Sequence, residues 1–139
     1  MIYEKEVYHF LVLHFPIALF VTGYLFDVAG YGFSNSLYSK FSFWNTGMGI
    51  FWGIISITTG FITDQEIGHM DNPLPIWSTH GTHMIFGVFF FLSIFIMKIL
   101  IQKDKLSIPP QISIILHTLA ILFFMHGAHI GAKLAGIHI

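Results

Sequence analysis

The sequence contains no cysteine and no arginine, and only 9% of its residues are charged. Without cysteine, thioether-attached haem, cysteine-ligated iron–sulfur clusters, thiolate zinc and disulfides are all excluded. A soluble globular domain carries about 25% charged residues, so the few charges here cannot cover a water-facing surface. Six lysines against seven acidic residues give a formal net charge of -1, which leaves no basic footprint for nucleic acid. What fills the 139 residues instead is apolar: 55% are hydrophobic and the mean hydropathy is +0.74.

Residues 7–26, 41–63, 72–97 and 106–132 are free of Asp, Glu, Lys and Arg. Each run reaches the roughly 20 residues that a helix needs to cross a hydrocarbon core of about 30 Å. The chain therefore reads as all-α, a single membrane domain over residues 1–139 folded as an integral membrane four-helix bundle. Helices are expected at about 7–30, 41–63, 75–100 and 108–135. Glu4, Lys5 and Glu6 replace the basic start of a signal peptide and no small-residue cleavage site follows, so the first helix is expected to be kept. Lys40, Lys98, Lys103 and Lys105 fall at one side and only Lys5 and Lys133 at the other. By the positive-inside rule both termini face outward from the cytoplasmic (inner) membrane. The connections are too short for a soluble catalytic domain, so any chemistry lies in the bundle or at its outer rim.

Local signals agree with these spans. Pro109 and Pro110 open helix four, and Pro75 with Trp77 is expected to open helix three at the interface. Tyr8, Tyr31, Tyr38 and Trp44 fall near the rims, and Pro16 is expected to kink helix one. Gly49, Gly53, Ser56 and Gly60 form a small-residue stripe on helix two, repeated by Gly127 and Gly131 on helix four. Such stripes admit a close helix backbone or a flat ligand, and close packing is the commoner use.

Nine histidines are the most informative feature. At about 1.5 Å per residue, His14, His83 and His126 come to lie roughly 9 to 12 Å below the outer ends of three helices. His9, His80 and His129 form a shallower level. His80 and His83, like His126 and His129, are three residues apart and share a helix face. A single intramembrane histidine is accounted for by a hydrogen bond to a backbone carbonyl. Satisfied packing residues have no reason to choose one depth on three helices, so the set points to a bound cofactor or metal. His69 in a loop, His138 in a tail and His117, alone at its depth, are read as structural.

Imidazole suits haem iron, zinc, copper and non-haem iron. Haem b, flat and apolar, best suits a bundle lined by glycine and phenylalanine, with one or two haems ligated from His14, His83, His126 and His129 and with His80 in reserve. Met84 and Met125, beside His83 and His126, are read as packing residues. Asp64 is a candidate to orient a ligand histidine through its second ring nitrogen, and Lys133 to meet a haem propionate. Asp27 is expected to cap or pair at the inner rim.

At HFLVLHFPIALFVTGYLFD, residues 9–27, the chain resembles a widespread family of small four-helix bacterial membrane proteins catalogued as a domain of unknown function. The resemblance continues through TGFITD at 59–64, HMIFG at 83–87 and GAHIGAKLAGIHI at 127–139. Its most distinctive element is His14, Phe15 and Pro16 followed by Asp27. Similar proteins end helix four in a Gly-His-x-Gly-Gly-like element, matched here by Gly127, His129 and Gly131, with Ala132 in place of the last glycine. Some relatives occur beside or fused to c-type cytochromes. The resemblance thus implies electron transfer, with His14, His83 and His129 as the positions carried over.

Three functions follow from these residues. The first is a b-type cytochrome-like electron-transfer subunit, rather than a stand-alone enzyme, exchanging electrons with a c-type cytochrome or a quinone. The second is a copper or zinc site in a transporter or small metalloenzyme, against which stands the lack of a polar path beyond His117 and Asp27. The third is a structural anchor in a larger complex or a homo-oligomer, which leaves the histidines unexplained.

Overall fold

The computed structural model describes residues 5–67, 73–134 and 136. Four helices make up the described chain: α1 (Lys5–Gly32), α2 (Ser36–Ile67), α3 (His80–Gln102) and α4 (Pro110–Leu134). All four are long and apolar enough to cross a membrane, and no strand occurs among the described residues. A lipid environment requires this form, because a helix satisfies its backbone groups within its own segment.

Turn chemistry separates the helices. α1 gives way to α2 through residues 33–35, with Ser34 in the left-handed region at φ 50°. The Asn35 side chain then accepts a hydrogen bond from the Leu37 amide at 2.9 Å and caps α2. Asp104, at φ 54°, makes the corresponding turn after α3, where the Lys105 amide donates to the Leu100 carbonyl at 2.9 Å. Pro110 occupies the first position of α4, where its missing N–H costs nothing. The third helix does not open at Pro75. The Ser78 amide and hydroxyl and the Thr79 hydroxyl all bond the Pro75 carbonyl at 3.1 Å, so residues 75–78 close a turn and α3 begins at His80. α1 continues as helix through the buried Pro16.

α1 packs most extensively on α2, α3 on both α2 and α4, and α4 closes the ring against α1. The core is aromatic. Phe20 and Phe91 stack with centroids 3.6 Å apart, and Phe124 meets both edge-on at 5.2 and 5.7 Å. The glycines are sockets for rings. A Cβ at Gly49 would stand 2.6 Å from Phe20, and one at Gly87 would stand 2.9 Å from Phe124. Without a hydrophobic force between helices in lipid, close packing of this kind holds the bundle. Outward-facing Leu11, Phe51, Ile54, Phe89, Leu119 and Leu122 are each more than half exposed, the apolar surface that lipid would cover.

Candidate functional site

A cavity of about 440 Å³ opens among the four helices toward the end that carries both termini. His9 and His14 line it from α1, Asp64 from α2 and His80 from α3, with Val88 and Phe124 deeper in its wall. Glycine makes space for the imidazoles: a Cβ at Gly60 would lie 3.2 Å from the His9 ring, and one at Gly131 only 2.5 Å from that of His80.

The three cavity histidines share one hydrogen-bonding pattern. His14 Nδ1–H donates to the Phe10 carbonyl at 2.6 Å, one helical turn back. His80 Nδ1–H donates across to the Gly127 carbonyl of α4 at 2.8 Å. His9 Nδ1 lies 3.1 Å from the Thr59 hydroxyl, whose own proton goes to the Ser56 carbonyl at 3.0 Å, so His9 is the donor there too. With the proton held at Nδ1, the lone pair of each neutral ring sits on Nε2. This is the tautomer and orientation that metal-ligating histidines adopt.

The other sequence-selected histidines lie elsewhere. His83 is fully buried, stacked on Phe123 at 3.8 Å, and its Nε2–H donates to the Phe123 carbonyl at 2.8 Å. Its Nδ1 faces the Ile76 carbonyl at 3.3 Å. Both nitrogens are therefore turned to backbone oxygens, and the residue does not line the cavity. His126 meets His83 at a centroid distance of 5.2 Å but is exposed, as are His129 and Lys133. Common depth thus did not gather His14, His83 and His126: among the described residues no three His, Asp or Glu side chains converge to hold one metal ion. Asp64 shares the cavity, but the groups seen holding Nδ1 of its histidines are two carbonyls and a hydroxyl. His69 and His138 lie outside the described residues.

A second polar site, at the opposite end, was not anticipated. Lys98 is not a loop cation. Its ammonium, buried in α3, donates to both carboxylate oxygens of Asp27 at 2.6 Å and to the Ser42 hydroxyl at 2.9 Å. Asp27 thus pairs rather than caps, and its Oδ2 also accepts from Nδ1–H of the fully buried His117 at 2.7 Å. His117 is therefore not alone at its depth. The four helices each contribute one member: Asp27, Ser42, Lys98 and His117. Asp27 and Lys98 also line a vestibule of about 470 Å³ that includes Tyr31, Gln102 and Ser113. A sequence signal existed, because Lys98 is followed by Ile99, Leu100 and Ile101 and so lies inside an apolar run.

The chain belongs to the DUF2231 family of predicted membrane proteins. The family model matches residues 7–138, which takes in all four spans and both polar sites of this DUF2231 protein. No curated protein and no solved structure matches it.

Proposed function

We propose that this membrane protein is a b-type cytochrome-like electron-transfer subunit, with one haem b in the cavity at the termini end. His80 of α3 and either His14 or His9 of α1 would hold its iron. The observation that carries this reading is the shared tautomer: three imidazoles on one apolar cavity each hold Nδ1–H against an oxygen and present Nε2 as the donor atom.

The donor set favours haem over a single zinc or copper ion. Such ions take three or four protein ligands, and no such group converges among the described residues. Haem supplies four equatorial nitrogens itself and asks the protein for one or two axial histidines. The cavity volume of about 440 Å³ falls in the roughly 300–1,000 Å³ range of cofactor sites and suits one haem rather than two. When bound, haem supplies one-electron chemistry. The chain's own part is to orient the imidazoles, through Phe10, Thr59 and Gly127, and to exclude water with Val88 and Phe124. Lys133, on the last turn of α4 just beyond the cavity residues Gly131 and Ala132, is the cation that would meet a propionate.

With Lys98 buried, Lys40, Lys103 and Lys105 still outnumber Lys5 and Lys133, which supports outward-facing termini in the cytoplasmic membrane. The redox partner is then an outer-side c-type cytochrome or a membrane quinone, within a larger complex or homo-oligomer.

The test is an absorption spectrum of the detergent-purified protein, oxidised and then reduced with dithionite, with haem quantified per chain. A sharp reduced α-band and about one haem b per chain are expected, with the spectrum lost or converted to high-spin in His80→Ala. A low-spin spectrum that survives replacement of His9, His14 and His80 together would sink the assignment. Copper or zinc bound in place of haem would favour the metal-site reading.

A further inference from the structure

The Asp27–Lys98–His117 network contains one more titratable group than neutrality requires. Asp27 and Lys98 cancel each other's charge, and all three ammonium hydrogens of Lys98 are spent on Asp27 Oδ1, Asp27 Oδ2 and Ser42. As an ion pair the site is complete without His117. Yet His117 is fully buried, it donates from Nδ1 to Asp27, and its Nε2 is a buried nitrogen with no hydrogen-bond partner among the described residues. A satisfied packing residue does not leave a polar atom in that state, and ionisable groups inside a membrane by default mark function.

Access to the network is one-sided. The vestibule at the end opposite the termini is lined by Asp27 and Lys98 but not by His117. On the other side the His117 ring meets the edges of Phe91 and Tyr24, at 5.5 and 5.7 Å. Phe91 belongs to the Phe20–Phe91–Phe124 cluster, and Phe124 lines the histidine cavity beyond it. Among the described residues, the charged and titratable groups facing the His117 site are Asp27 and Tyr24 from α1 and Lys98 from α3. α2 contributes only the neutral Ser42, behind Lys98.

We infer that Asp27, Lys98 and His117 form a membrane-embedded proton-holding site, with His117 carrying the proton and Asp27 exchanging it with water at the vestibule end. In the unloaded site His117 is neutral, protonated at Nε2, and the Asp27–Lys98 pair carries no net charge. Loading brings one proton from vestibule water through Asp27 Oδ2 to Nδ1, and the site becomes singly positive, with Nδ1–H donating to Asp27. For release, the Nδ1 proton of the imidazolium passes to Asp27 Oδ2 and then, from the carboxyl, to water in the vestibule. This regenerates the carboxylate and a neutral imidazole protonated at Nε2, and the same atoms run in reverse take a proton up. Lys98 keeps the carboxylate in place throughout and changes neither charge nor partner. By the lysine distribution the vestibule faces the inner side, so the exchange is with the cytoplasm. The inference does not depend on haem at the other cavity.

The experiment is ¹⁵N NMR of ring-labelled histidines in the whole protein in nanodiscs, with His117 assigned from the signal missing in His117→Gln. As the pH is varied, Nδ1 of His117 should gain and lose a proton reversibly. Asp27→Asn, which keeps an acceptor oxygen but removes the charge, should lower the proton affinity of His117 about tenfold or more. If that variant does not fold, Asp27→Asn with Lys98→Met removes both charges and should still lower the affinity, by less, because the repelling ammonium is removed too. Ser113→Trp, filling the vestibule, should slow proton exchange between His117 and bulk water by tenfold or more while leaving the other histidine signals unchanged. A His117 signal that stays in one protonation state while other histidines titrate would overturn the assignment. So would titration and exchange indifferent to both Asp27→Asn and Ser113→Trp.

Discussion

The strongest energetic consequence of the bundle concerns the partnership of Asp27 and Lys98. Both side chains are 10% exposed, and the ammonium makes two 2.6 Å bonds to the carboxylate and one of 2.9 Å to Ser42. Asp27→Asn preserves shape and an acceptor for His117 Nδ1–H, so the principal loss is Lys98's counter-charge. Breaking one partner of a buried pair leaves an uncompensated charge and costs about 3–5 kcal/mol. Lys98→Met alone leaves the carboxylate with His117 as its remaining partner and should cost less. The double variant removes both charges, and replacing a buried pair by apolar groups is often close to neutral. The expected double-mutant cycle therefore shows a coupling of about 3 kcal/mol, with the double variant more stable than either single one. Reversible unfolding by SDS in mixed micelles, followed by far-ultraviolet circular dichroism, measures all four proteins. If the two costs simply add, to within about 0.5 kcal/mol, the pair is not energetically coupled and the buried network is wrong.

Three further outcomes follow from contacts in the bundle. Gly131→Ala places a Cβ 2.5 Å from the His80 ring; it should destabilise the fold by about 1–3 kcal/mol and, if His80 is an axial ligand, lower the haem bound per chain in the purified protein. His83→Phe deprives the Phe123 carbonyl of its 2.8 Å donor, at a cost of about 1–3 kcal/mol in the same unfolding assay, but should leave haem content unchanged because His83 is outside the cavity. Phe20→Ala removes the ring stacked at 3.6 Å on Phe91 and seated on Gly49. It should cost about 3 kcal/mol or more, whereas truncating the lipid-facing Leu122, 61% exposed, should cost far less.

Much of this protein could be read along one dimension. Charge-free runs set four membrane helices, because lipid tolerates few charges and a helix of fixed rise needs about 20 residues to cross it. The same rise assigned each histidine a depth, and the absence of cysteine restricted the ligands to imidazole. Rotation about each helix axis could not be read in that way. A water-soluble helix declares its inward face by an apolar stripe, but here lipid-facing residues such as Leu119 are as apolar as the buried Phe124. Orientation is decided by which ring enters which glycine socket. His80 and His83 are three residues apart, yet packing turns one to the cavity against Gly131 and the other to the carbonyl of Phe123. Asp27 likewise meets Lys98 and His117, partners 71 and 90 residues away in sequence. Composition and helix length thus determine how many times the chain crosses and at what level its polar groups lie, while only the packing of four helices decides which of those groups meet.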